Sequence, residues 1–183
     1  MPTSMSASVR SGKFAGDCNT NNVCGAKPEQ FLPAELFANV VAHAPLVAID
    51  LIVTDPQGAV LLGLRNNPPA QGFWFVPGGR ILKNETIDAA FRRIAENELG
   101  CVMPIAQSRL VGVFEHFYDV NFAGVAGAST HYIVLAYHLQ TEHRLFALSP
   151  QQHRRTIWMQ PDQVKQHPLV HPYTQAYFEL ATK

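Results

Sequence analysis

The sequence predicts an α+β fold in which helices cover a single β-sheet. Short apolar runs with the composition of strands are mixed with only three helical patterns, and the connections between them are short. The chain has 183 residues, which at roughly 150 residues per domain is one domain with a sizeable core. We therefore expect one catalytic or binding unit.

The composition argues against nucleic-acid binding, membrane insertion and secretion. Fourteen Lys and Arg balance fourteen Asp and Glu, so no excess of positive charge favours a polyanion. Asp50, Thr54 and Asp55 interrupt the best apolar candidate, residues 46–53, before it reaches the length of a membrane span. Three cysteines without a Cys-x-x-Cys spacing, and no apolar core of a signal peptide, predict a reducing cytoplasm.

Residues 1–30 are predicted to be a disordered extension. They carry few large apolar side chains, so little burial is available to offset the entropy of ordering them. The folded domain is expected to span residues 31–183 and to begin with a helix that ends near residue 43. Apolar residues recur in that helix at helical spacing, namely Leu36, Phe37, Val40 and Val41.

Strands are predicted from β-rich apolar runs. Residues 46–54 and 59–65 flank the turn sequence Asp55-Pro56-Gln57-Gly58 and should form a hairpin. A short strand over residues 73–76 is expected to end at Pro77-Gly78-Gly79, which favours a break in regular structure. The remaining predicted elements are strands at residues 109–117, 131–139 and 155–159 and a closing helix near residues 174–181.

A helix over residues 86–99 contains the most informative residue of the chain. Asn84 or Thr86 can cap its start, and Gly100 stands where a left-handed residue ends a helix. Its apolar stripe consists of Ile87, Phe91, Ile94 and Ala95.

Glu98 continues this apolar stripe, so its carboxylate must be paired or bound to a metal ion. An ion pair with Arg93 or Arg80 is one reading, and contact with a metal ion or a substrate is the other. Spacing along the helix makes a pair with Arg93 unfavourable. The acidic side chains away from the stripe, at Glu85, Asp88 and Glu96, are expected to be solvated.

Gly78 and Gly79 let the backbone turn sharply and approach a ligand closely just before this helix. Four further residues follow at fixed offsets, because five residues separate Gly79 from Glu85, seven separate Glu85 from Arg93, and Glu98 and Gly100 come next. This pattern resembles the Nudix box. The resemblance implies an α/β/α sandwich with a mixed sheet, whose strand, loop and helix bind a divalent cation against the diphosphate of a nucleoside diphosphate derivative.

The chain departs from the usual box, which continues Arg-Glu-hydrophobic-x-Glu-Glu. Here the segment is Arg93-Ile94-Ala95-Glu96-Asn97-Glu98, so two expected carboxylates are missing. With only Glu98 left of that set, the site should hold fewer metal ions and is less suited to attack by metal-activated water on phosphorus. The departure indicates either lost activity or chemistry at another atom.

Segments outside the box are similar to GDP-mannose mannosyl hydrolases, over about residues 31–178. The shared segments are PLVAID (45–50), LGLR (62–65), PAQGFWFVPGGR (69–80), HFY (116–118), THY (130–132) and QH (152–153). This resemblance implies hydrolysis of GDP-mannose, or of GDP-glucose, to GDP and free hexose. Water would attack the anomeric carbon with inversion, and the protein would be a homodimer.

The matching motifs imply roles for individual residues. One Mg²⁺ or Mn²⁺ ion per subunit would be held by the carbonyl oxygen of Gly78, the carboxylate of Glu98 and the side-chain oxygen of Gln152. His153 would be the general base that takes a proton from the attacking water, and Arg80 would stabilise the departing diphosphate.

The remaining matches surround the bound nucleotide sugar. The resemblance implies that Asp50, Arg93 and Tyr132 support catalysis, that Arg65 and His116 contact the substrate, and that Phe31, Leu32 and Phe37 line the guanine. From the residues alone, a solvated residue of a polar loop is the favoured reading of His153, and Asp50 is equally a buried hydrogen-bond partner. Two other functions remain open: a Nudix hydrolase that cuts phosphorus–oxygen bonds, and a nucleotide-sugar sensor without turnover.

Overall fold

The structure of the protein is a computed structural model that describes residues 32–125, 127–142, 144 and 148–179. The predicted extension, residues 1–30, lies outside the described residues, as do Phe31 and the predicted end of the closing helix. In the described part of the chain, a seven-stranded mixed sheet carries helices on both faces. The expected α+β architecture is therefore confirmed.

The elements follow one another along the chain with short connections. The helices are α1 (Ala34–His43), α2 (Ile87–Leu99), α3 (Pro161–Gln166) and α4 (Pro172–Glu179), and a 3-10 turn covers Ile105–Gln107. The strands are β1 (Leu46–Thr54), β2 (Val60–Arg65), β3 (Trp74–Phe75), β4 (Gly78–Arg80), β5 (Arg109–Tyr118), β6 (Thr130–Gln140) and β7 (His153–Met159). None of the helices described here is long and apolar enough to cross a bilayer. The sequence did not predict β4, α3 or the 3-10 turn, because they are too short to show a periodic pattern.

β1 is the central strand of the sheet. It runs parallel to β6 along its whole length and antiparallel to β4. It pairs with β2 only where Thr54 meets Val60, so the predicted hairpin is correct at its turn and wrong along its strands. The reason is that β1 is buried along nearly its whole length and has neighbours on both edges, while β2 pairs with β3 and β7.

Alternate residues of β1 enter two separate apolar cores. Ile49, Leu51 and Val53 pack in the core that contains the inner face of α2, whereas Ile52 packs in the core that contains Tyr177 of α4. Since successive side chains of a strand point to opposite faces of a sheet, α2 and α4 cover opposite faces. Side chains that alternate with the apolar residues of β1 can therefore reach a site beside either helix.

The predicted ends of α2 are confirmed. Thr86 is the N-cap and its hydroxyl oxygen accepts a hydrogen bond of 3.2 Å from the backbone N–H of Ala89, while Gly100 ends the helix with φ 72°. The buried stripe is confirmed at Phe91, Ile94 and Ala95. It is wrong at Ile87, which is 45% exposed, because the buried residues of α2 begin only at Ala90 and the first turn lies beyond the core.

The glycine pair forms a strand where the sequence predicted a break. Gly78 and Gly79 lie opposite Asp50 and Ile49 in an antiparallel pairing of β4 with β1. A Cβ atom on Gly78 would stand 2.4 Å from Oδ1 of Asp50 and 2.7 Å from the carbonyl oxygen of Ile49. The absence of a side chain therefore lets β4 pair closely with β1 and brings its backbone beside the Asp50 carboxylate.

Replacing Gly78 with alanine is expected to lower the free energy of unfolding by about 2 kcal/mol or more, because the new Cβ overlaps a carboxylate and a backbone carbonyl. Gly79→Ala is the matched control. Its Cβ would lie 3.2 Å from Cγ1 of Ile94, a side chain that can shift, so its loss should be smaller. Urea unfolding followed by tryptophan fluorescence measures both losses, and a larger loss for Gly79→Ala would contradict this account.

Candidate active site

A cavity of about 270 Å³ lies between β4, the inner face of α2 and the sheet. Nine of the residues to which the resemblance assigns a role in the site line it, namely Asp50, Arg65, Gly78, Arg80, Arg93, Glu98, His116, Tyr132 and Gln152. His153, Leu32 and Phe37 do not line it. The fold thus brings most of the candidates together, although they come from strands, helices and turns far apart in the chain.

Glu98 is the centre of a buried hydrogen-bonded group at the wall of this cavity. Its Oε1 accepts a 2.7 Å hydrogen bond from Nε2 of Gln152, and its Oε2 lies 3.1 Å from Nε2 of His153. Glu98 is 3% and His153 is 4% exposed. The reading of Glu98 as the partner of Arg93 or Arg80 is therefore wrong, since those arginines have other contacts.

Arg93 holds the loop between β4 and α2. Its guanidinium makes two hydrogen bonds with the carboxylate of Glu85, of 2.7 and 2.8 Å, and a third of 2.7 Å to the carbonyl oxygen of Arg80. Glu85 also accepts from the N–H of Leu82, and the hydrogen bonds from Arg93 lower its pKa. The expectation that Glu85 is solvated is wrong, because Arg93, eight residues further along the chain in α2, reaches back to it.

The guanidinium of Arg80 lies over an aromatic ring. Its Cζ is 3.6 Å from the ring centroid of Phe37 in α1. Among the described residues it has no hydrogen-bond acceptor and no anionic partner. Burial lowers the pKa of Arg80, whereas Tyr132 acts in the opposite direction. A positive charge at the cavity wall without an anion beside it is suited to bind one.

Asp50 is a buried carboxyl group joined to α4. The hydroxyl of Tyr177 donates a 2.6 Å hydrogen bond to its Oδ2 and lies 3.2 Å from Nε2 of His116. Burial raises the pKa of Asp50 to about 7, and the hydrogen bond from Tyr177 opposes that shift. Tyr177 was not predicted as a site residue. The sequence indicated only that it lies in the closing helix, and this position does not indicate which residue it contacts.

His116 lines the cavity, and aromatic rings and an imidazole pack behind it on the α4 side. His116 stacks on Tyr173 with a centroid distance of 4.1 Å and an interplanar angle of 6°, and His171 is 5.0 Å from the same Tyr173 ring. Burial lowers the pKa of each imidazole to about 4. The neighbouring His171 adds to the shift of His116, and Arg65 adds to the shift of His171. Both imidazoles are therefore neutral at pH 7.

His153 differs from the solvated loop residue that the sequence allowed. It is the first residue of β7, and its Nδ1 is buried without a hydrogen-bond partner in the described part of the chain. That nitrogen faces Gly63, where a Cβ atom would stand 2.2 Å away. Only Nε2 is directed toward Glu98, which lines the cavity, so any proton exchange with a bound molecule has to take place at Nε2.

Of the guanine-lining residues implied by the family, the two that the structure describes do not line the cavity themselves. Leu32 is 49% exposed. Phe37 packs on Arg80 and on Phe122, whose ring centroid is 4.6 Å away. Phe31 lies outside the described residues.

The family model of the NUDIX domain matches residues 44–180, which include the β4–α2 segment and β7. The chain belongs to the Nudix family. It is 38% identical over 154 residues to the low-salt glycan biosynthesis protein Agl8 of Haloferax volcanii, with 84% of this chain and 92% of that protein covered.

Solved Nudix structures share the fold. The MutT NUDIX hydrolase of Burkholderia pseudomallei is 23% identical with a TM-score of 0.61, over 76% of this chain and all (100%) of that one. The NUDIX domain of NrtR from Shewanella oneidensis, solved with ADP ribose, is 20% identical with a TM-score of 0.57, over 84% and 100%. The α+β sandwich is thereby confirmed. Nudix hydrolases act on nucleoside diphosphate derivatives and generally use divalent metal ions such as Mg²⁺.

The depressed pKa of His116 predicts how this Nudix protein loses stability in acid. Between about pH 6.5 and pH 4 the unfolded chain binds a proton at this residue that the folded chain does not bind, so the free energy of unfolding falls as the pH falls. His116→Gln should remove about 2 kcal/mol of that decline. Urea unfolding at pH 7, 6, 5 and 4 measures the difference.

The control is His43→Gln, which replaces an exposed imidazole at the end of α1. The unfolding free energies of the two variants and of the wild type are compared at each pH. Parallel curves for His116→Gln and the wild type would show that His116 takes up its proton equally in both states.

Proposed function

We propose that this protein hydrolyses GDP-mannose, or GDP-glucose, to GDP and free hexose by attack of water on the anomeric carbon with inversion. The observation that carries the proposal concerns the two missing carboxylates of the box. Ile94 and Asn97, which stand at those positions, both line the cavity. The site therefore presents few carboxylates for metal-activated attack on phosphorus, which favours chemistry at carbon.

The name of Agl8 adds support, since that relative is described as a protein of glycan biosynthesis. A nucleotide sugar is a nucleoside diphosphate derivative, the class on which Nudix hydrolases act. The proposal also includes a homodimer in the cytoplasm, with guanine contacts from Phe31, Leu32 and Phe37.

The residues present fit one Mg²⁺ or Mn²⁺ ion per subunit. Gly78, Glu98 and Gln152 line the same cavity, and all three can offer the hard oxygen atoms that these ions prefer. Gln152 directs its amide nitrogen at Glu98, and rotation of the amide would present its oxygen instead. When bound there, the ion supplies positive charge against the negative charge that develops on the diphosphate.

The proposed step forms one bond, breaks one bond and transfers one proton to a side chain of the protein. Oxygen of water forms the bond to the anomeric carbon, the bond from that carbon to the phosphate oxygen breaks, and its electron pair leaves with GDP. The proton of water passes to Nε2 of His153. To accept it, Nε2 has to be unprotonated, with the imidazole proton on Nδ1, and has to exchange Glu98 for the water. Its 3.1 Å separation from Oε2 of Glu98 is at the long end of hydrogen-bond distances.

Other side chains act on the substrate or on each other. Arg80 binds the departing diphosphate. Arg93 supports Arg80 by donating a hydrogen bond to the backbone carbonyl oxygen of Arg80. Arg65, Tyr132 and His116 contact the nucleotide sugar. Asp50 accepts a hydrogen bond from Tyr177 of α4 and lies opposite Gly78 of β4, and from this position it supports catalysis.

The test is a proton NMR time course of the protein with GDP-mannose and Mg²⁺. We expect β-mannose and GDP to appear together, because attack at carbon with inversion converts the α-linked sugar to the β anomer. In ¹⁸O-labelled water the label should enter mannose and not phosphate. Formation of GMP and mannose 1-phosphate would instead show attack on phosphorus and overturn the proposal.

His153→Gln should lower kcat by about 10²-fold to 10⁴-fold, the usual contribution of a general base. Glutamine is used because His153 is buried and alanine would leave a cavity. The affinity for GDP with Mg²⁺, measured by calorimetry, should change little, and His43→Gln is the matched control. A variant that keeps its full kcat would exclude His153 as the base.

A further inference from the structure

We propose that Phe37, supported by Phe122, is a positioning residue that holds the guanidinium of Arg80 in the orientation that binds the diphosphate. This inference rests on the proposed function in one respect, because Arg80 is taken to contact the diphosphate of the substrate. It assigns Phe37 a contact with Arg80 in addition to the guanine contact implied by the family, and it assigns Phe122 the role of supporting that ring.

The contact between Phe37 and Arg80 is close and lies at the cavity. Cζ of Arg80 is 3.6 Å from the ring centroid of Phe37, whereas the other three arginine–aromatic pairs in the described residues are separated by 5.5 to 5.9 Å. Arg80 lines the cavity. At this distance the guanidinium plane and the ring are in van der Waals contact, and the quadrupole of the ring attracts the cation.

Stacking on a ring leaves the hydrogen-bonding edges of a guanidinium free. All five N–H donors of arginine lie in the guanidinium plane, so an aromatic ring against one face takes none of them. In the described residues no acceptor takes them either, while the backbone carbonyl of Arg80 is already fixed by Arg93. The side chain is thus held at its base by Arg93 and at its tip by Phe37, with its donors available for two phosphate oxygens.

Phe122 supports the ring from a loop of defined shape. The two rings lie 4.6 Å apart at an angle of 38°. Phe122 follows Asn121, which is 4% exposed. The amide of Asn121 makes four hydrogen bonds to the loop backbone, accepting from the N–H groups of residues 123 and 125 and donating to the carbonyls of residues 125 and 128. One buried amide therefore fixes the loop that carries Phe122.

The helix that carries Phe37 has few other attachments. Val41 is the one buried residue of α1 in the structure, and the remaining side chains of the helix are exposed or half-buried. The stack on Arg80 is therefore a main contact between α1 and the body of the protein. Loss of the ring should release both the helix and the guanidinium.

The first test needs no ligand. Ring currents of Phe37 should shift the side-chain proton resonances of Arg80 upfield in the NMR spectrum of the full chain. Phe37→Leu should abolish that shift, and Phe37→Tyr, which keeps the ring, should retain it. An Arg80 spectrum unchanged by Phe37→Leu would overturn the proposal whatever the substrate is.

The second test is a double-mutant cycle of Phe37→Leu and Arg80→Ala. The affinity for GDP with Mg²⁺ is measured by calorimetry, with inorganic pyrophosphate as a second probe. Phe37→Leu should weaken binding about tenfold in the wild-type background, in line with a desolvated cation–π contact, and less than about twofold in the Arg80→Ala background. Equal losses in the two backgrounds would show that Phe37 acts on the ligand alone and not through Arg80, and would overturn the proposal.

Three controls separate positioning from folding. Phe37→Tyr should rescue binding and kcat to within about threefold, because the ring face is retained. Leu36→Ala, a substitution of a neighbouring side chain that is 51% exposed, should change neither. If Phe37→Leu fails to fold, Phe122→Leu replaces it in the cycle, with a smaller coupled loss of about threefold expected.

Failure of this inference is distinguishable from failure of the proposed function. A protein that binds GDP and pyrophosphate but does not release free hexose would overturn the proposed function, while the cycle would still report on Phe37. A protein that releases hexose but shows independent effects of the two substitutions would overturn only the positioning role.

Discussion

The buried carboxylate of Glu98 is the interaction on which the site depends. It joins the inner face of α2 to the start of β7, since both of its oxygen atoms are engaged by neighbouring residues of the segment at 152–153. A carboxylate in this position is costly unless polar partners surround it. Those partners therefore fix where β7 begins, and β7 in turn pairs with β2 along the edge of the cavity.

Contacts with β1 and with α2 together fix the position of β4 at the side of the cavity. The glycines of this strand lie close to β1, and the loop that follows is bound to α2 by the pair of Glu85 and Arg93. Arg80, at the end of the strand, is thus fixed through its backbone before its side chain meets any ligand. A cation held in this way loses less conformational entropy on binding an anion than a surface arginine would.

Elements with a strong local pattern were predictable from the sequence. The ends of α2, the burial of Glu98 and the core strands all follow from spacing and capping residues. Pairing was harder, because the partner of β1 along its length is β6, a strand more than 80 residues away, and no local signal encodes that register. Tyr177 was missed for the same reason, since its contact with Asp50 crosses the whole domain.

The hydrogen bond between Tyr177 and Asp50 joins residues 127 positions apart in the chain. Folds rich in such distant contacts form slowly, because the entropy of closing a long loop is lost before the contact is gained. During synthesis on the ribosome, β1 therefore exists for a long interval without β6 and without the hydroxyl that steadies its carboxyl group. The cavity beside Asp50 is complete only after the residues of α4 have been synthesised.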